Sequence, residues 1–254
     1  MNKEEKFNKY FSLFILFGMI SVVLGVNLVK ILSPEESNKA MLALVTFGAI
    51  MGVFTSVMSA NGMIWNFFFG VINVSICAYT NFDSGNMGQF LLHALYFLPM
   101  QFVGVWQWRK RGAGGKGGSP APKARLMGWK LWLIVVLSVV AATAAVYALL
   151  YYIDLRRLGD VAQLDRTKIL LDSVVMVLNI AGQILLALCF SDSWYIWNLV
   201  NLFSIILWLN RASAPDSGGY EVVMVVKYSF YLLNSLNGLR IWLKLARKDS
   251  AATA

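Results

Sequence analysis

Eight stretches of roughly twenty mostly apolar residues follow one another along this chain, and a sequence written that way has few folds open to it. A bilayer core takes about 20 apolar residues per helix, and lipid offers no partner to a backbone N–H or C=O, so each stretch crosses as a closed helix. The stretches run Phe11–Ile31, Ala40–Ala60, Met63–Thr80, Met87–Trp108, Trp129–Ile153, Lys168–Phe190, Trp194–Leu209 and Val222–Leu245. The expected class is an all-α integral membrane protein of about eight transmembrane helices. Composition agrees: 14% of the 254 residues are charged, against roughly a quarter in a soluble domain. The first run is too long for a signal peptide, and no small-x-small site closes it before Lys30, so it reads as a span.

The connections carry the remaining topology. Asn61-Gly62 makes a tight turn between the second and third spans. Ser191-Asp192-Ser193, between the sixth and seventh, suits both a turn and a helix N-cap. The net charge of +9 sits in short loops rather than on a polar fold, which excludes a nucleic-acid binder. Eight spans place both termini on one side. That side, with the loop Arg109–Lys130, collects thirteen Lys/Arg, and the opposite side eight; the excess assigns both termini to the cytoplasm. Gly112–Pro122 reads as a flexible linker and residues 249–254 as a tail without function.

Two segments of the chain read alike. Tyr96–Trp108 in the fourth span and Phe230–Trp242 in the eighth share an aromatic pair, a glycine and a tryptophan at one offset, and a similar offset lays Trp65-Asn66 on Trp197-Asn198. The repeat is then three helices, 40–108 against 168–248, joined by a connecting helix at 129–153 after a cytoplasmic linker at 109–128. Equivalent helices are four spans apart, so both units point the same way, as in SWEET-type parallel repeats. Residues 1–39 add one N-terminal helix outside this 3+1+3 core.

The seventh span carries the densest chemistry. Trp194, Trp197 and Asn201 are spaced by three and four residues and share one helical face. Flat aromatic surfaces beside an amide suit a planar heteroaromatic ring with a polar substituent. An interfacial belt explains Trp194 alone, but not an Asn buried deeper. Asn198 lies beside them, and further amides sit within spans: Asn66 and Asn73, Gln101, Asn179 and Gln183, Asn234 and Asn237. Some serve helix-to-helix hydrogen bonds; their concentration in the repeat helices points to a central polar cavity. Arg240 is the one clear charge away from span ends, and Asp172 is expected to cap the sixth span or pair with Lys168. With no chain of buried carboxylates, facilitated diffusion of an uncharged or weakly charged solute is the simplest mechanism. Cys77 and Cys189 are expected to be small core residues, and His93 a packing or polar-contact residue. Nothing resembles a phosphate loop, a nucleophile elbow or a metal-spaced His/Cys set, so no enzyme and no cofactor are expected.

Trp194-x-x-Trp197-x-x-x-Asn201 in the penultimate span, with the matching tryptophans and glycines of the repeat, resembles the PnuC family of vitamin transporters over roughly Ala40 to Lys248. The resemblance implies uptake of nicotinamide riboside by facilitated diffusion with alternating access across a bacterial inner membrane. It also implies trapping of the substrate by a cytoplasmic nicotinamide riboside kinase, and a homotrimer. Carried onto this chain, Trp194, Trp197 and Asn201 bind the nicotinamide end, Trp197 by stacking on the pyridinium and Asn201 by pairing with the carboxamide; Asn179, Gln183 and Gln101 are left for the ribose. A thiamine or riboflavin carrier and a SWEET-like sugar carrier remain alternatives. A non-transporting membrane anchor would have polar-poor spans and large soluble loops, the reverse of what is written here.

Overall fold

A computed structural model describes residues 3–32, 38–114, 121–213 and 220–251. Their regular structure is helical: α1 (Lys3–Leu32), α2 (Lys39–Ala60), α3 (Asn66–Asp83), α4 (Met87–Leu91), α5 (Leu98–Lys110), α6 (Trp129–Leu158), α7 (Arg166–Ala187), α8 (Ser193–Ala212) and α9 (Tyr220–Ala251). A π-helical turn, Leu92–Phe97, joins α4 to α5 into one rod. Pro99 has no N–H to donate back to the preceding turn, and Leu98 N–H instead reaches five residues back, to His93 C=O. The wider turn aims Tyr96, whose hydroxyl donates to Ile180 C=O in α7 at 2.7 Å. Each expected span thus has its helical rod. By length and composition alone, α2, α6, α7 and the Lys3–Gly25 part of α1 are apolar enough to cross a membrane; of the amides noted above, Asn179 and Gln183 lie on α7 and the rest on the other rods.

Six of the rods close a ring by successive packing: α2 on α3, α3 on α5, α5 on α7, α7 on α8, α8 on α9, and α9 back on α2. α1 lies outside, in the groove between α2 and α9, where Ile15, Met19 and Val23 are buried against Val53 and Val57. α6 packs on α7 and buries none of its own residues.

One end of the ring is bolted shut. The Trp108 indole N–H, on α5, donates to Leu186 C=O at the end of α7, and the Trp242 indole N–H, on α9, donates to Ser59 C=O at the end of α2, each at 3.0 Å. Both rings are fully buried and meet edge to face, centroids 5.2 Å apart. Glycines permit these approaches. A Cβ at Gly238 would stand 2.6 Å from the Trp194 ring, and one at Gly104 would overlap Phe67. The α2–α3 turn passes through Gly62 at φ +69°, as its Asn-Gly sequence requires, whereas the α7–α8 turn places Cys189 at φ +62°. A side chain disfavours that region. Here the turn is clamped, since Arg125 N–H donates to Cys189 C=O and Ser191 N–H to Arg125 C=O, at 3.0 and 2.9 Å.

Three expectations about the connections change. The linker is not free at its far end: Pro122 is fully buried, Ala121 and Ala124 are buried, and Lys123 N–H donates to Arg111 C=O; residues 115–120 lie outside the described residues. Asp192 stands at the head of α8 but does not cap it. Its two oxygens accept from Met127 N–H at 2.8 Å and from the Trp132 indole at 2.9 Å, because the linker strap runs close enough to supply buried donors. Asp172 neither caps α7 nor pairs with Lys168. Asp165 caps α7, and Asp172 pairs with Arg211 of α8 at 3.0 Å, since nearly two turns into α7 its carboxylate faces the neighbouring helix. Of the proposed tail, residues 252–254 lie outside the described residues, and α9 continues to Ala251.

Candidate functional site

α8 presents the site because its polar positions fall on the side packed between α7 and α9. Trp194 is buried against Gly238 and tilts over Trp242, with ring centroids 6.3 Å apart. Trp197, one turn on, lies on Gly182 of α7, whose absent side chain leaves room for the indole; a Cβ there would stand 3.1 Å from the ring. Asn201, buried another turn on, donates from Nδ2 to the Ser235 hydroxyl of α9 at 3.1 Å. That hydroxyl donates in turn, with Asn198 Oδ1 at 2.8 Å and Leu232 C=O at 2.9 Å. Asn198 Nδ2 donates to Trp194 C=O at 2.7 Å. Beside this chain, Asn234 donates from Nδ2 to the Ser56 hydroxyl and carbonyl of α2, at 2.9 and 3.1 Å.

Several buried polar atoms in this region have no partner among the described residues: the indole N–H groups of Trp194 and Trp197, Oδ1 of Asn234 and Nδ2 of Asn237. Most buried polar atoms in proteins are paired, and leaving one unpaired costs about 1–3 kcal/mol. Two such atoms belong to the indoles of α8 and two to amides of α9, donors and an acceptor of the kind a polar aromatic ligand needs.

The remaining sequence candidates divide. Gln183 is buried on α7 one turn from Asn179, whose amide turns back to Val175 C=O. Gln101 on α5 is buried over Gly70, where a Cβ would overlap its amide, and donates to Phe97 C=O at 3.2 Å. Asn73 ties α3 to α2 through Gly48 C=O at 2.7 Å, and Asn66 folds back onto Met63 C=O, so both serve packing and turn formation. Trp65 stands apart. It is 64% exposed at the head of α3, in a groove of about 540 Å³ shared with Phe68, Phe102 and Arg109 on the outside of the ring. A second groove, about 480 Å³, lies between α6 and α7 and is also remote from the α8 face. His93 bonds its own helix at Gln89 C=O and packs beside Phe97, as a packing residue would. Cys77 and Cys189 are free thiols. No His/Cys/Asp/Glu cluster fit for a metal occurs among the described residues.

Sequence reasoning did not single out Ser56 and Ser235. A serine in an apolar helix carries no periodic signal, and these two matter only because α2 and α9 bring them against Asn234, Asn198 and Asn201.

Comparison with known proteins agrees with this architecture. A family model described as nicotinamide mononucleotide transporter matches residues 42–244. The nicotinamide riboside transporter PnuC of Neisseria mucosa is 31% identical over 229 residues, covering 89% of this chain and 80% of that protein. The protein of the same name from Haemophilus influenzae is 28% identical over 217 residues, 85% of this chain and 84% of that one. A crystal structure of the vitamin B3 transporter PnuC superposes with a TM-score of 0.66 at 28% identity, covering 95% of this chain and 92% of that chain.

Proposed function

This chain belongs to the PnuC family of membrane transporters, and from that premise we propose that it carries nicotinamide riboside through a central site on the α8 face. The observation that carries the reading is the set of unpartnered buried polar atoms beside two tryptophans and an amide. Nicotinamide riboside offers a cationic aromatic ring, a carboxamide and ribose hydroxyls. Trp197 stacks on the pyridinium, a contact worth about 0.5–2 kcal/mol. Asn201 pairs with the carboxamide. Trp194, Asn198 and Asn234 complete the pocket, and Asn179, Gln183 and Gln101 serve the ribose from facing helices. Asn66, Asn73 and Trp65, included among the sequence candidates, serve the turn, the packing of α3 on α2 and the outer groove instead.

Paired contacts support a parallel 3+1+3 repeat. Ser59 and Leu186, Gly62 and Cys189, and Phe67 and Trp194 occupy like positions 127 residues apart; Gly104 and Gly238, and Trp108 and Trp242, do so at 134. This register sets Phe67 opposite Trp194, and Gly70, rather than Trp65, opposite Trp197. It also explains a one-sided site. Gly70 and Gln101 of the first unit correspond to Trp197 and Ser235 of the second, so one unit supplies an amide over a glycine where the other supplies an indole beside a hydroxyl.

Transport then follows by alternating access. The two units meet along two seams, α2 on α9 and α5 on α7, and rocking across those seams opens each end in turn. The Trp108–Leu186 and Trp242–Ser59 bonds hold the end next to the termini closed. The α8 face holds amides, hydroxyls and indoles rather than carboxylates, which fits facilitated diffusion without a proton carrier. Net uptake comes from phosphorylation of the substrate by a cytoplasmic kinase. The assembly is a homotrimer in a bacterial inner membrane, with both termini in the cytoplasm.

The test is uptake of radiolabelled nicotinamide riboside into proteoliposomes, with the kinase and ATP enclosed or omitted. Saturable uptake without kinase, increased by trapping and lost in a folded Trp197→Ala, is expected. Folded wild-type protein that moves thiamine, riboflavin or a sugar but not nicotinamide riboside refutes the substrate.

A further inference from the structure

We infer that Ser235 is a specificity-determining positioning residue: it fixes the Asn201 amide so that an oxygen, not an N–H, faces the ligand, and the site therefore selects a carboxamide over a carboxylate. The inference rests on the substrate site proposed above. It follows from counting protons. A hydroxyl has one proton to give. Around Ser235 Oγ stand Leu232 C=O at 2.9 Å, which can only accept, and Asn198 at 2.8 Å. The Asn198 amide is itself oriented by Trp194 C=O at 2.7 Å, an acceptor that demands Nδ2, and so turns Oδ1 toward Ser235. Whichever of the two acceptors takes the Ser235 proton, the hydroxyl can only accept from Asn201. Asn201 must present Nδ2 to it, at 3.1 Å. Oδ1 of Asn201 is then the atom left over, and it forms no hydrogen bond among the described residues.

An amide in a span is normally free to rotate by half a turn and offer either end. Here a relay from two backbone carbonyls, through a buried serine 2% exposed, removes that freedom. The oxygen so presented accepts from the N–H of a carboxamide. It repels a carboxylate, and it goes unpaired against a carboxamide whose nitrogen carries two methyl groups. A buried acceptor left unpaired weakens binding by about tenfold or more.

The experiment measures the affinity of the purified protein for nicotinamide riboside, nicotinic acid riboside and N,N-dimethylnicotinamide riboside. Wild type is expected to bind the first at least about tenfold more tightly than either of the others. Ser235→Ala frees the amide to turn, and the preference against the carboxylate is expected to collapse; Ser235→Thr, which keeps the hydroxyl, retains it. Wild type that binds the carboxylate or the dimethyl ligand as well as the parent overturns the orientation without recourse to any variant. Undiminished preference in a folded Ser235→Ala overturns the role of the serine. Failure of wild type to bind any of the three overturns the substrate reading instead.

Discussion

Gly238→Ala puts the close approach of α9 to Trp194 to the test. An added Cβ would lie 2.6 Å from Cε3 and Cζ3 of Trp194 and 2.8 Å from Cδ2, where ordinary van der Waals contact is 3.4–4 Å. The ring must retreat by about 1 Å, yet it is 3% exposed with Trp242 beside it. Overpacking of this kind costs about 1–3 kcal/mol, or roughly 2–12 °C in Tm for a chain of this size. Because Trp194 belongs to the α8 face, affinity for nicotinamide riboside falls with it, by about tenfold if the tilt removes 1.4 kcal/mol. Two controls separate packing from site. Gly104→Ala overlaps Phe67 at the like position of the other unit and is expected to lower Tm as much with little change in affinity. Gly25→Ala has nothing within 4 Å, and only a gain of up to about 1 kcal/mol in helix propensity is expected. Thermal unfolding and ligand titration on detergent-purified protein read both quantities. Gly238→Ala with wild-type Tm and affinity would refute the claim that this glycine seats Trp194.

Asp192→Ala strands the Met127 N–H and the Trp132 indole in a buried place, at about 1–3 kcal/mol for each; Asp192→Asn, which keeps one acceptor, is expected to lower Tm by less, and equal losses would argue against both bonds. Trp108→Phe and Trp242→Phe each remove one indole donor from a helix-end carbonyl, and matching losses of about 1 kcal/mol are expected; a large loss in one and none in the other would sink the equivalence of the two seams.

The resemblance to the PnuC family rested on the motif Trp194 to Asn201 in one helix, together with the matching tryptophans and glycines of the repeat, and a single helix is what a sequence specifies best. Spacing of three and four residues places those side chains on one face whatever surrounds them. Lengths of apolar runs fix the number of rods for the same local reason, and Asn61-Gly62 announces a left-handed turn because only glycine adopts it freely. The corresponding turn through Cys189 was not legible. Its backbone is held by Arg125, more than sixty residues away, and nothing in the local sequence calls for it.

By itself, then, the sequence determined the class, the rods and the aromatic face of α8. The tertiary structure alone decided which polar groups meet. Trp242 finds Ser59 across 183 residues and Asn234 finds Ser56 across 178. Asp192 leaves its own helix to hold the strap, and Ser235 arrives beside two asparagines whose amides it orients. Helical periodicity is set by neighbours a few residues apart, whereas a buried hydrogen bond needs both partners at one place in space, and only the closure of the ring brings them there.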